Sequence, residues 1–256
     1  MKTKEEIVNN WLPRYTGKEL ESFGKYILLT NFMYYVELFS KWNNVPIEGR
    51  DRNMPSATFD GMTIINFGMG SPNAATVMDL LSAVNPNAVL FLGKCGGLKK
   101  KNMVGDLILP IAAIRSDGTS NDYLPNEVPA LPAFKLQIAV STTITKFKKE
   151  YWTGTVYTTN RRGWEYDDRF RKYLMKTRAM AIDMETATIF TVGFANEIPT
   201  GALLLVTDQP MISTGIKTAA SDAEVTGKYV ETHLKIGIDS LREIKDSKIS
   251  VKHLIF

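Results

Sequence analysis

The sequence predicts an α/β fold built around a mixed β-sheet, and three observations support this prediction. An apolar stretch rich in β-forming residues, then a turn, then a helical pattern recurs along the chain. Several of these stretches are apolar at nearly every position, as strands covered on both faces tend to be. Asp60-Gly61 forms a good two-residue hairpin turn between two strand-like stretches, so the sheet also contains an antiparallel pair.

Composition predicts one soluble domain over residues 1–256. The chain has 256 residues, of which 44% are apolar and 23% charged, and no repeat or linker divides it. Cys95 is the single cysteine, which excludes an intramolecular disulfide and fits a reducing cytoplasm. The charged N-terminus does not resemble a secretory signal, and no apolar run approaches the roughly 20 residues of a membrane-spanning helix.

Charge and histidine content argue against several classes of function. The net charge is +4, and its basic residues are scattered apart from Lys99–Lys101, which we interpret as a solvated turn, so we expect no nucleic-acid partner. His233 and His253 have no Cys, Asp or Glu at ligand spacing, so we expect no metal and no cofactor. No histidine lies in a loop suited to a Ser-His-Asp triad.

The strands and helices can be placed from apolar runs and from helix start signals. Candidate strands are residues 26–29, 62–67, 88–92, 106–113, 153–158, 179–182 and 202–206. Ser71 is a candidate cap with Pro72 at the first helical position, and residues 186–194 form a helical run. Ser221 and Glu224 have capping-box spacing. The long C-terminal helix that follows carries an apolar stripe of Leu234, Ile238, Leu241 and Ile244.

Two glycine-rich segments follow predicted strands. Gly68-Met69-Gly70 precedes a helix, so its backbone can approach a ligand closely and the helix N–H groups can bind an anion or hydroxyl. The second segment, Gly93 to Gly97, contains Lys94, Cys95 and Gly96 at the carboxyl edge of the sheet, where open α/β sheets bind ligands. Each segment can also be a structural turn, with the cysteine a small packed residue.

Acidic residues follow two further strands. Asp183-Met184-Glu185 opens a helix, and its Glu185 either interacts with the helix dipole or accepts hydrogen bonds from the two hydroxyls of a ribose. Asp208 follows the buried strand at residues 202–206, where desolvation raises a carboxyl pKa and allows proton donation to a leaving base. The alternative is a turn cap beside Gln209-Pro210.

Trp164 lies in a polar loop and has two interpretations. It can be an aromatic wedge against the core, or it can stack on a purine.

Taken in order, these segments resemble the motifs of the nucleoside phosphorylase and nucleosidase superfamily. The resemblance spans about residues 25–241 and rests on residues 68–70, 93–97, 105–106, 115–120, 183–185 and 208. Residues 25–32, 93–98, 183–186 and 233–238 most resemble the catalytic domain of nucleosidases that act on AMP. The resemblance implies a three-layer α/β/α fold with a central mixed, partly barrel-like sheet.

The resemblance also implies roles for individual residues. Glu185 resembles the carboxylate that holds the ribose 2′ and 3′ hydroxyls, with Met184 and Met69 lining the sugar. Asp208 resembles the acid that hydrogen-bonds or protonates N7 of the purine, and Trp164 lies where relatives place an aromatic against the base.

One departure from the superfamily pattern favours water as the nucleophile. Phosphorylases carry an arginine two residues before the first glycine of the second segment, and Ser or Thr just after that glycine. Here those positions hold Phe91 and Lys94, and Phe91 cannot bind inorganic phosphate. Asp183 is a candidate for aligning the water. Lys94, Arg162 and Lys217 are unranked candidates for binding a 5′-phosphate.

The expected reaction is hydrolysis of AMP to adenine and ribose 5-phosphate. The alternatives are a purine nucleoside phosphorylase, a methylthioadenosine-type nucleosidase, or a non-catalytic nucleotide sensor. Superfamily members form hexamers, commonly trimers of dimers, so we expect a homohexamer. Full-length relatives carry an N-terminal regulatory domain, and we expect this chain to be too short to include it.

Overall fold

The computed structural model describes residues 1–212, 214–248 and 250–251, which contain eight strands and seven α-helices. The strands are β1 Tyr26–Thr30, β2 Ser56–Phe59, β3 Met62–Asn66, β4 Ala88–Gly97, β5 Leu107–Ser116, β6 Tyr151–Thr159, β7 Ala181–Asp183 and β8 Thr200–Asp208. The helices are α1 Lys4–Thr16, α2 Met33–Asn43, α3 Ser71–Leu80, α4 Phe134–Lys146, α5 Asp168–Thr177, α6 Thr186–Ala195 and α7 Ala219–Ser247.

The sheet is mixed and closes on itself at one end. Its strand order is β2-β3-β1-β4-β7-β6-β5-β8, and β8 pairs with β4 as well as with β5. Strands β4, β7, β6, β5 and β8 therefore form a closed barrel, and β1, β3 and β2 extend from it as an open sheet. β4 runs parallel to β8 but antiparallel to β7, and β2 and β3 form the hairpin. The prediction of a mixed, partly barrel-like sheet is confirmed.

The length of β4 corrects one prediction. Residues 93–97 were expected to form a turn, but β4 continues through them to Gly97. The pairing of β4 with β8 shifts register between Cys95 and Gly96. A Cβ atom at Gly97 would lie 2.8 Å from the Cβ of Asn102, so the missing side chain lets the strand pass through a crowded corner of the barrel.

Helices cover both faces of the sheet. On one face Leu12, Val77 and Phe190 bring α1, α3 and α6 into one buried cluster. On the other face α2, α4 and α7 pack together, and the predicted stripe of α7 is confirmed because Leu234, Ile238, Leu241 and Ile244 are all buried. Each fully buried side chain of this size contributes about 1.5–3 kcal/mol relative to exposure.

The starts of α3 and α7, which were predicted from cap residues, are wrong by one and three residues. α3 begins at Ser71 itself and Gly70 is its cap, while the Ser71 hydroxyl donates a hydrogen bond of 2.6 Å to the Met184 carbonyl. α7 begins earlier than Ser221, because extended Thr218 caps the helix and its hydroxyl accepts from the Ser221 N–H at 3.1 Å. Ser221 is therefore the third residue of the helix and the last residue of this capping box, not its first.

None of the helices within the described ranges is long and apolar enough to cross a membrane.

Candidate active site

A cleft opens where five strands end. Asn31 follows β1, Thr159 ends β6, and the carboxyl ends of β4, β7 and β8 complete the wall. Eleven of the predicted site residues line it: Met69, Lys94, Cys95, Gly96, Arg162, Trp164, Asp183, Met184, Glu185, Asp208 and Lys217. The closed barrel thus gathers side chains that are more than a hundred residues apart in sequence.

Glu185 lies buried at the junction between β7 and α6. The Gly70 N–H donates to its Oε1 at 2.7 Å, so the glycine turn before α3 holds this carboxyl group. Gly68 and Gly70 do not line the cleft, and both have positive φ, a conformation that favours glycine. Burial, with a further contribution from the Asp183 charge, raises the pKa of Glu185 to about 8.

Asp183 is saturated with hydrogen bonds. Its Oδ1 accepts from the Thr158 hydroxyl at 2.7 Å, and its Oδ2 accepts from the hydroxyl and the N–H of Thr186. Burial raises the pKa of Asp183 as well, but these donors oppose that rise. The donors around Asp183 therefore favour its ionised form more strongly than those around Glu185, which holds its proton to a higher pH than an exposed glutamate does. Because its carboxylate oxygens already accept these hydrogen bonds, Asp183 has little capacity left to align a water molecule.

Asn31 is a site residue that the sequence analysis did not single out. Its side chain faces the Glu185 carboxyl group and lowers the pKa of that group. Its Oδ1 is buried and has no hydrogen-bond partner within the described part of the chain. A buried acceptor without a partner costs about 1–3 kcal/mol, so this oxygen is suited to a hydroxyl group that arrives with a ligand. The only signal in the sequence that could have identified Asn31 was its position as a polar residue directly after a buried strand.

Asp208 ends β8 on another part of the cleft wall. Burial raises its pKa, whereas the Thr207 hydroxyl, which donates at 2.9 Å, and the charge of Lys217 lower it. The rise prevails, so the carboxyl holds its proton to a higher pH than an exposed aspartate does. This is the property expected of a proton donor.

Trp164 packs against the core as the first interpretation predicts, and its stacking on a purine stays a prediction. It is buried with Ile182 and Leu174 in a small cluster, and its ring packs edge-on against Phe170 with 5.5 Å between centroids. It also lines the cleft. The Trp164 ring therefore packs against the core and also presents part of its surface to the cleft.

Two lysines and one carboxylate form a charged cluster at the cleft. The Nζ atoms of Lys94 and Lys217 lie 3.1 Å and 2.7 Å from the same Oδ1 of Asp222. Arg162 differs from both lysines because its side chain is 59% exposed and pairs with Glu165 at 3.6 Å. Asp222 belongs to α7 and was missed, since sequence spacing does not bring it near Lys94.

Cys95 and Phe91 occupy β4 in ways that restrict their chemistry. Burial raises the pKa of the Cys95 thiol well above its usual value, so the thiol stays protonated and unreactive. Phe91 is fully buried against Phe67, with 5.8 Å between ring centroids. Its position beneath the cleft offers no group that could bind an anion.

Further lining residues were not predicted: Phe32, Thr159, Arg161, Glu165, Ile182 and Thr207.

Among the described residues no group of three His, Cys, Asp or Glu side chains could hold a metal ion. His233 is buried between the Tyr35 hydroxyl at 2.8 Å and the Leu203 carbonyl at 2.9 Å, so it is a structural residue. His253 lies outside the described residues.

Comparison with known proteins identifies relatives. A family model described as the phosphorylase superfamily matches residues 25–242. AMP nucleosidase from Escherichia coli is 30% identical over 277 aligned positions, which cover 90% of this chain and 57% of that protein. The chain thus spans little more than half of this curated relative.

Solved structures give a similar result. The crystal structure of AMP nucleosidase from Bacteroides thetaiotaomicron is 56% identical, covers 96% of this chain and 99% of that chain, and superposes with a TM-score of 0.87. Uridine phosphorylase from Vibrio fischeri shares the fold at 20% identity, with a TM-score of 0.77 and coverage of 88% and 93%.

Proposed function

The chain belongs to the phosphorylase superfamily, and on that premise we propose that it hydrolyses the N-glycosidic bond of AMP, releasing adenine and ribose 5-phosphate. The observation that carries this proposal is the presence of two protonatable carboxyl groups, Glu185 and Asp208, on different walls of one cleft. The similarity to AMP nucleosidases over 90–96% of the chain supports the choice of substrate.

Glu185 binds the ribose in this proposal. Sugar hydroxyls donate to its carboxylate and to the unpartnered Oδ1 of Asn31, while Met69 and Met184 provide apolar contacts. Binding of hydroxyl donors favours the ionised form of the carboxyl group. These hydrogen bonds strengthen as positive charge develops on the sugar, so they stabilise the transition state more than the ground state.

Asp208 acts as the general acid. Cleavage of the bond to C1′ gives an oxocarbenium-like sugar and leaves negative charge on adenine. A proton donated by Asp208 to N7 neutralises that charge, an effect typically worth about 10²–10⁴-fold in rate. In this proposal the part of Trp164 that lines the cleft contacts the purine.

Water is the nucleophile in this scheme: its oxygen bonds to C1′, and the proton it loses replaces, by way of solvent, the proton that Asp208 gave to adenine. Position 91 is a core phenylalanine, so the second glycine segment lacks the arginine that phosphorylases carry there for binding inorganic phosphate. Asp183 keeps its four hydrogen bonds and acts by holding the start of α6 and the position of Glu185.

Product analysis tests the proposal. The protein is incubated with AMP, adenosine or methylthioadenosine, each with and without inorganic phosphate, and adenine and sugar products are measured. We expect adenine and ribose 5-phosphate from AMP in phosphate-free buffer. Phosphate-dependent formation of a sugar 1-phosphate would identify a phosphorylase, faster release from methylthioadenosine would identify a nucleosidase of that type, and binding without turnover would identify a sensor.

We further propose a cytoplasmic location, a role in purine salvage and a homohexamer built as a trimer of dimers. The superfamily resemblance supports the assembly, and the single buried cysteine fits a reducing compartment.

A further inference from the structure

Lys94 and Lys217 reach the same carboxylate oxygen from different parts of the chain. Lys94 lies on β4, Lys217 precedes α7, and Oδ1 of Asp222 accepts from both. Both lysines line the cleft that contains Glu185 and Asp208. One negative charge therefore faces two positive charges at this wall of the cleft, so the cluster keeps one unbalanced positive charge.

Lys94 is held in place by several partners. Its side chain is 5% exposed, its Nζ donates to the Thr226 hydroxyl at 2.9 Å, and the same atom lies 4.4 Å from the centre of the Phe32 ring. Burial lowers the pKa of Lys94, and the Asp222 charge opposes that fall. A buried ammonium group fixed in this way is prepared to bind an anion at a defined position.

We propose that Lys94 and Lys217 form the subsite for the 5′-phosphate and that Asp222 is an internal anion which the phosphate displaces. This inference rests on the proposed function, because it concerns the nucleotide end of the same cleft. It also ranks Lys94 and Lys217 above Arg162, whereas the sequence alone did not rank these three candidates. Arg162 is excluded from the primary contact by its exposure and its pairing with Glu165.

Charge balance explains why displacement is required. A phosphate monoester dianion neutralises the two ammonium groups by itself, so Asp222 then adds an unfavourable negative charge at short range. Its side chain is 36% exposed and lies in the first turn of α7. The carboxylate can therefore turn toward water and still interact favourably with the helix N-terminus. A substrate without phosphate cannot displace Asp222, so Asp222 stays paired with the two lysines when such a substrate binds.

Calorimetric titration with ribose 5-phosphate tests the inference, with ribose as the probe that lacks phosphate. Asp222→Asn removes the competing charge, so we expect ribose 5-phosphate to bind about two- to fivefold more tightly. This range is the change in affinity that corresponds to the loss of one partly exposed ion pair. Lys94→Met should weaken binding at least about tenfold because it removes a charge-assisted hydrogen bond. Neither change should alter the response to ribose.

Asp239→Asn is the matched control. It makes the same chemical change on α7, where Asp239 pairs with Arg242 away from the cleft, and it should leave the affinity unchanged. Asp222→Ser gives a second removal of the charge should the asparagine variant fold poorly.

The possible outcomes separate this inference from the proposed function. Weaker or unchanged binding by both Asp222 variants would overturn the role of the internal anion, and unchanged binding by Lys94→Met would place the phosphate elsewhere. If the variants behave as expected but AMP is not cleaved, the subsite stands and the hydrolase proposal fails.

Discussion

Glu185 and Asp183 share one buried space, and burial raises the pKa of both acids while their hydrogen-bond donors differ. Asp183 receives donors from Thr158 and Thr186, whereas Glu185 receives mainly the Gly70 N–H. The raised pKa of Glu185 is thus a property of its environment and not of its sequence neighbours. The sequence predicted that Glu185 lies at a site, because an acid after a buried strand is partly desolvated, but it did not predict the raised pKa of either acid.

The raised pKa of Glu185 has a consequence for stability. In the folded protein the pKa of Glu185 is about 8, compared with an ordinary value of 4.5. Between these pH values the folded protein retains a proton that the unfolded chain releases. The stabilising contribution of Glu185 is therefore fully present below about pH 4.5 and decreases as pH rises to about 8.

Glu185→Gln removes that titration. We expect the variant to gain stability relative to the unsubstituted protein between pH 5 and pH 8.5, by on the order of 1–3 kcal/mol, measured by thermal unfolding at each pH. Glu5→Gln, at an exposed position of α1, is the control and should show no such trend. A stability difference that stays constant with pH would contradict the assignment of the proton to Glu185.

Asn31 shows why part of the site escaped sequence analysis. An asparagine after a strand is an ordinary turn residue. It becomes informative only when packing leaves its Oδ1 buried and without a partner among the described groups.

At the scale of elements, apolar runs predicted the strands well, and failures occurred where the signal was ambiguous. All seven predicted strands are present, because buried strands require continuous apolar sequence. The extension of β4 was missed since Gly93, Gly96 and Gly97 carry no strand signal. The start of α7 was misplaced because Thr218 and Ser221 are both good caps, and only the backbone conformation distinguishes them.

The cap of α7 connects helix stability to the cleft. The Thr218 capping box fixes the helix start between Lys217 and Asp222. Thr218→Ala should lower the free energy of unfolding by about 1 kcal/mol. It should also raise KM for AMP at least about twofold, because misplaced binding groups lose part of their effect.

Thr3→Ala is the matched control, since Thr3 forms the equivalent capping box of α1, away from the cleft. Denaturant unfolding and steady-state kinetics of both variants provide the comparison. Equal effects of both on KM would show that the start of α7 does not position the nucleotide end of the cleft.

At the scale of the whole molecule, closure of the barrel creates the site. Pairing of β4 with β8 brings the end of β8, with Asp208, beside Cys95 and Gly96, and pairing of β4 with β7 brings Asp183 to the same edge. These pairings join residues about a hundred positions apart. Their register depends on packing of the complete sheet, so local sequence patterns could not predict the closure. The superfamily resemblance did imply it. That residues 1–256 form a single domain stays a prediction.

The central claim is that Asp208 and Glu185 act on opposite sides of one glycosidic bond, one on the departing base and the other on the sugar. A substrate whose leaving group needs no proton separates these roles. We compare kcat on AMP with kcat on 4-nitrophenyl riboside 5-phosphate, whose nitrophenolate departs unprotonated.

Asp208→Asn should lower kcat on AMP at least about tenfold and on the nitrophenyl substrate less than about threefold, as loss of a general acid requires. Glu185→Gln should lower both at least about tenfold, because the sugar is common to the two substrates. Equal losses of Asp208→Asn on both substrates would contradict the account.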